Sequence, residues 1–114
     1  MAAIEVSKEL VDKVYEIIEV AKSTGKIVKG TNETTKAIEK GKAKFVAVAK
    51  DVSPPEIIMH IPVITEEKNV LCFQIPSKEE LGAAAGIQVP TGSVAVVQEG
   101  EAKNLISELI KKSK

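Results

Sequence analysis

Lys26-Ile27-Val28-Lys29-Gly30-Thr31-Asn32-Glu33-Thr34-Thr35-Lys36 changes its period at the glycine. Before it, Ile27 and Val28 form a short apolar pair between lysines, which fits an edge strand. After it, Thr31 or Asn32 is a good N-cap for a helix that should end before Gly41. A strand that runs through a glycine into a helix belongs to a layered α/β fold, and the same alternation continues in both directions.

Upstream, Ser7 is placed to cap a helix with Leu10, Val14, Ile17, Ile18 and Ala21 on one stripe, and Gly25 supplies its stop. Downstream, Lys44 to Ala49 reads as a buried strand. Ser53-Pro54-Pro55-Glu56 has the form of a capping box that launches Ile57 to His60 as a helix, which Pro62 should break or bend. Val70 to Ile75 is a second central strand. Ser77-Lys78-Glu79-Glu80 is another capping box, opening a short helix that closes at Gly86. Ser93 to Val97 is the last strand, and Ala102, Leu105, Ile106, Leu109 and Ile110 form the stripe of a final helix after Gly100. These elements predict one domain over residues 1–114, a three-layer α/β/α sandwich around a small mixed sheet of about four strands.

Composition agrees with a single core and narrows the function. With 44% hydrophobic and 28% charged residues, 7 Gly and 5 Pro, the 114-residue chain is neither a rod nor a disordered tail. Cys72 is the lone cysteine, so an intrachain disulfide and a thiolate-rich zinc site are both excluded, as suits a reducing, cytoplasmic setting. The first residues carry no basic segment followed by an apolar one, and no stretch approaches the ~18 uncharged apolar residues of a membrane span. Charge balances at 16 basic against 16 acidic residues, but unevenly: Lys22 to Lys50 holds eight lysines and two glutamates, a local +6. One cationic face suits an anionic partner. Every basic residue is lysine, so no guanidinium fork is available.

Catalytic constellations are missing. The one histidine, His60, and the one thiol, Cys72, make a weak pair: Cys72 falls mid-strand between Leu71 and Phe73 as a small buried hydrophobe, and His60 at a helix end suits a structural hydrogen bond. Glu66-Glu67 and Glu79-Glu80 read as solvated helix faces and Asp51 as a turn residue. No metal-ligand spacing or Gly-rich nucleotide loop occurs, so no catalytic residue, metal or cofactor is expected.

Binding chemistry concentrates at Gly30 to Lys36. A helix N-terminus there offers unpaired N–H groups and a positive dipole end to phosphate, although ordinary capping by Thr31 or Asn32 accounts for the same residues. Glu33 is the discriminating group, because a carboxylate amid lysines repels bare phosphate and helps only as an acceptor. Guanine N1–H and N2–H₂ are such donors where guanine lies outside Watson–Crick pairs, as in sheared G·A pairs. Asn32 could read a neighbouring base edge and Lys36, one turn on, an O6 or N7 acceptor or a phosphate. An A-form major groove is too narrow for this, so the target is RNA with opened or non-canonical pairs. Ile87 and Val89, in the irregular loop Gly86 to Gly92, either pack inward or cover an unstacked base. The aromatics Tyr15, Phe45 and Phe73 fall at core-like positions and cannot share that role.

Several blocks together carry a family resemblance: Gly30-Thr31-Asn32-Glu33-Thr34-Thr35-Lys36-Ala37 with Gly41; Ala49-Lys50-Asp51-Val52 with Pro54-Pro55-Glu56-Ile57; Glu66-Glu67-Lys68-Asn69-Val70; and Leu81-Gly82 with Gly86-Ile87-Gln88-Val89-Pro90. From about Val6 to Ile110 the chain resembles the archaeal ribosomal protein L-seven-Ae family. The resemblance implies a non-enzymatic kink-turn RNA-binding protein of the large ribosomal subunit, of box C/D and H/ACA guide RNPs and, in some archaea, of RNase P. It implies ribosomal and guide RNAs as partners, fibrillarin and a Nop-domain protein met through the guide RNP, a cytoplasmic location and a free monomer. By the same resemblance Asn32, Glu33 and Lys36 contact tandem sheared G·A pairs, with Gly30 and Thr31 at the helix entrance and Lys29 on the backbone. Ile57, Lys78, Ile87 and Val89 line the flipped-out nucleotide and the selectivity loop, to which Gln88 and Pro90 belong. The alternatives are a ribosome-only RNA binder of the same superfamily and a protein-interaction scaffold that has lost RNA binding.

Overall fold

The computed structural model describes residues 3–5, 8–52 and 59–113. In chain order these form β1 (Ala3–Glu5), α1 (Lys8–Thr24), β2 (Lys26–Lys29), α2 (Thr31–Glu39), β3 (Phe45–Ala49), α3 (His60–Glu67), β4 (Leu71–Ile75), α4 (Lys78–Ala84), β5 (Ser93–Gln98) and, after a 3₁₀ turn at Gly100–Ala102, α5 (Lys103–Ser113). The sheet order is β1-β4-β3-β5-β2. β1 and β3 flank β4 in parallel, while β5 runs antiparallel to both β3 and β2.

Strand alternation divides the interior into two cores. Phe45, Ala47 and Ala49 of β3, Phe73 and Ile75 of β4 and Val94 and Val96 of β5 face Val14, Ile17, Ile18, Leu81 and Leu109 of α1, α4 and α5. The rings of Phe45 and Phe73 stack there with centroids 5.2 Å apart. On the other side, Val46, Val48, Cys72 and Ala95 meet Ala37 and Ile38 of α2 and Ile61 of α3. Because β3 is buried along its whole length, both its faces are apolar, as a strand covered by helices on two sides requires. This is the three-layer α/β/α arrangement anticipated from the periodicity.

The structure departs from the sequence expectations in definite ways. The four anticipated strands are joined by β1, which pairs Ala3, Ile4 and Glu5 with Cys72, Phe73 and Gln74 and makes the sheet five-stranded. Pro62 does not break a helix: it is the third residue of α3, where a missing N–H costs nothing because first-turn amides lack intrahelical acceptors anyway. His60 accordingly stands at a helix start, and its Nε2 lies 2.8 Å from Thr35 Oγ1, tying α3 to α2 by the structural hydrogen bond expected of it. The expected cap at Ser7 and the capping box Ser53 to Glu56, with Ile57, lie outside the described residues. Of the second capping box one half forms: Ser77 caps α4, its Oγ accepting from Glu80 N at 3.2 Å, while the Glu80 side chain is engaged by Tyr15. Cys72 is fully buried, and burial pushes its thiol up to about 12.

Candidate nucleic-acid interface

β2, β3 and β4 share one direction, so their C-terminal ends meet at one end of the sheet, beside the start of the antiparallel β5. Four segments are tied together there by backbone bonds. Gly30 N donates to Ser93 O (2.9 Å), joining the entrance of α2 to β5. Ala49 N donates to Gly92 O (2.9 Å), and Thr91 N to Lys78 O (3.1 Å), which hold the loop before β5 to β3 and α4. Lys78 N donates to Asp51 Oδ1 (2.8 Å), so Asp51 clamps the first turn of α4 to the turn after β3. The separate blocks Gly30–Lys36, Lys50–Val52, Lys78 and Ile87–Pro90 thereby become neighbours.

At the entrance of α2 neither Thr31 nor Asn32 caps the helix. Gly30 is the N-cap, with φ 91° and ψ 153°, and among the described residues no side chain caps the first-turn amides. Only glycine adopts that backbone region without strain, and it turns the chain straight from β2 into the helix. Asn32 therefore does not spend its amide on capping, and it lies exposed at a helix entrance without a side-chain cap. α2 buries Thr34, Ala37 and Ile38, so the 3.6-residue period leaves Asn32, Glu33 and Lys36 exposed together. Lys36 Nζ lies 3.9 Å from Glu33 Oε1, with both side chains more than 60% exposed, a solvent-screened pair that leaves the carboxylate its acceptor sites. Lys29 is exposed at the end of β2 and Thr31 is half-buried.

The second wall is the loop after α4. Ile87 N donates to Gly82 O (3.0 Å), and a Cβ at Gly82 would overlap the carbonyl oxygen of Val89, so the loop lies directly on the helix backbone. Ile87 is half-buried, and Gln88, Val89 and Pro90 are exposed, Val89 by 63%. Lys78 is half-buried at the start of α4. The sequence-derived residues Lys29 to Lys36, Lys78 and Ile87 to Pro90 thus gather at one end of the sheet, while Ile57 lies outside the described residues. Sequence reasoning missed the capping role of Gly30 and the anchoring role of Asp51. The first was signalled by a glycine set between strand and helix. The second had no local signal, since its partner lies 27 residues away.

Among the described residues no group of three or more metal-ligating side chains comes together. No described helix is long and apolar enough to cross a membrane.

A three-layer α/β/α domain that gathers an uncapped helix entrance, a mixed-charge polar turn and an apolar loop at one sheet end defines a compact recognition module. Its sequence places it further. Residues 12–106 match the model of the ribosomal protein L7Ae/L30e/S12e/Gadd45 family, and the chain belongs to that family. Among solved structures it is similar to the Giardia lamblia 15.5kD RNA binding protein, with a TM-score of 0.91, 31% identity and coverage of 98% of this chain and 93% of that one.

Proposed function

We propose that the protein binds RNA without catalysing a reaction on it, and that it recognises kink-turns through their tandem sheared G·A pairs. The observation that carries this reading is the exposed trio Asn32, Glu33 and Lys36 on the first turns of an uncapped helix, beside the apolar loop Ile87 to Pro90. Glu33 accepts from the N1–H and N2–H₂ edge of a guanine outside Watson–Crick pairing. Asn32 supplies both donor and acceptor to an adjacent base edge, and Lys36 a cation to an acceptor or phosphate. Lys29 and the amides at the helix start take backbone phosphate. Ile87 and Val89, with Ile57, cover an extruded base, and Lys78, Gln88 and Pro90 frame it.

Because these groups fit only the bent form, binding stabilises the bend by population shift. Such a protein serves as a nucleation point in ribosomal RNA and in box C/D, H/ACA and RNase P RNAs, where fibrillarin and a Nop-domain protein join the guide particle afterwards. Family membership and the 15.5kD RNA binding protein support the RNA class, and the chemistry of Glu33 supports the motif.

The test is binding of a labelled kink-turn RNA beside one whose sheared pairs are converted to Watson–Crick pairs. The native RNA should bind tightly, and the converted RNA should lose several kcal/mol. Glu33→Ala should cost about 2–3 kcal/mol on the native RNA, the worth of a charged hydrogen-bonding group, and little on the converted one. Equal, steeply salt-dependent binding to both RNAs would reduce the reading to a generic basic patch.

A further inference from the structure

Beyond the recognition turn, a groove runs between α2 and the edge strand β2 toward the opposite end of the sheet. Glu33 and Lys36 form its mouth, and Lys26, Lys40 and Lys42 line its walls. It continues past Gly41 to Lys44 and Gln98. Val28 and Val97 floor it, both half-buried and aliphatic. Lys26, Lys40, Lys42 and Lys44 are exposed, and none has an ion-pair partner within 4.0 Å among the described residues. Uncompensated cations converge here from three sources: a strand, a helix end and the connection to β3.

We propose that this groove is a second RNA-contact surface, which seats the sugar-phosphate backbone of a helical stem flanking the recognised motif; the inference rests on the RNA-binding reading of the α2 entrance. Charge selects an anionic occupant, and continuity with the mouth at Glu33 and Lys36 selects the same RNA. Four residues of β2 and nine of α2 give the groove a length of about 13 Å. A nucleic-acid duplex carries a phosphate about every 1.7 Å of its axis, so a stem of that length presents more charges than these lysines can use. Lysines meet phosphates as point charges without bidentate geometry, which suits contacts that follow backbone shape and not sequence. The aliphatic floor suits the sugar edges between phosphates.

The experiment compares wild type, Lys26→Gln/Lys42→Gln/Lys44→Gln, the same three positions changed to Arg, and Glu33→Ala. Each binds a kink-turn RNA with two long stems and versions with either stem trimmed to the motif, at 50 and 200 mM salt. If three phosphate contacts vanish, wild type should lose about 40-fold more affinity than the Gln variant between the two salts, from ~0.9 released counterions per contact. That difference should disappear when one particular stem is trimmed, and the Arg variant should retain it. A wild-type circular dichroism spectrum and a cooperative melt no lower than that of wild type establish that the Gln variant is folded. An equal loss on full and trimmed RNAs would overturn the proposal, since it would make the lysines a diffuse field. So would a Gln variant whose affinity and salt slope match wild type. Failure of Glu33→Ala to weaken binding, with the lysine effect intact, would instead sink the kink-turn reading and leave a stem-binding groove. A wild type that binds none of these RNAs would sink both.

Discussion

Glu33 and Thr34 are adjacent, yet they answer to opposite demands. Glu33 is exposed, whereas Thr34 is fully buried and its Oγ1 has no hydrogen-bond partner among the described residues. A buried hydroxyl without a partner forfeits about 1–3 kcal/mol of solvation, and valine has nearly the same shape without that group. Thr34→Val should therefore raise the unfolding free energy by about 1 kcal/mol in denaturant titrations. A loss of stability instead would mean that an internal water serves this hydroxyl. Cys72 gives a second prediction. Its thiol is pushed up to about 12 from 9.0, chiefly by desolvation, with a smaller opposing effect of a hydrogen bond with Thr65. The unfolded chain then releases the proton first, so this group's contribution is intact below about pH 9 and is lost as pH rises toward about 12. Cys72→Val should flatten that alkaline limb relative to wild type, and native protein should react with thiol reagents only as fast as it unfolds. Burial of Cys72 was legible from its apolar neighbours. The orphaned hydroxyl of Thr34 was not, because a threonine in a helix start reads equally as a cap.

At the scale of elements, two glycines hold the candidate interface for different reasons, and substitution separates them. At Gly30 a Cβ would meet nothing within 4 Å, so the cost of Gly30→Ala is conformational alone. Forcing alanine into φ 91° should destabilise the protein by about 1–3 kcal/mol. At Gly82 the backbone is ordinary but the space is filled by Val89 and Pro90, so Gly82→Ala should push the loop off α4. The expected outcome is a weaker grip on an RNA with an extruded base and little change on one lacking it, measured by titrating the two RNAs. Element positions were largely readable, since apolar period and capping residues are local. β1 escaped notice because three residues are too few to show a period, and what creates it is pairing with β4, some 70 residues away. Pro62 misled for a related reason. A proline forbids helix only when something precedes it to bond, and Pro62 stands in the first turn of α3, which packs on α2 through Ile61 and the His60–Thr35 contact.

Across the whole molecule the zero net charge hides a separation. Lysines gather on β2, α2 and the turn to β3, whereas Asp12, Glu19 and Glu80 share a groove beside Tyr15 on the α1–α4 layer, on the other side of the sheet. Such an arrangement steers an anionic partner toward the lysines at the α2 edge and away from that acidic groove. It also burdens the free protein, because neighbouring lysines without counter-charges repel one another. Screening lengths shrink from about 30 Å at 0.01 M salt to about 8 Å at 0.15 M, so added salt relieves that repulsion at the same concentrations that release RNA. Folding stability and RNA affinity should therefore move in opposite directions as salt rises: the melting temperature of free protein increases while the association constant falls. Lys26→Gln/Lys42→Gln/Lys44→Gln should diminish both trends together, since one set of charges causes both. Melting curves and binding isotherms taken over one salt series check this. A salt-stabilised melt that survives the triple substitution would place the repulsion elsewhere, whereas parallel loss of both slopes would mean that the stability forgone in the free protein is set by the cations that attract its partner.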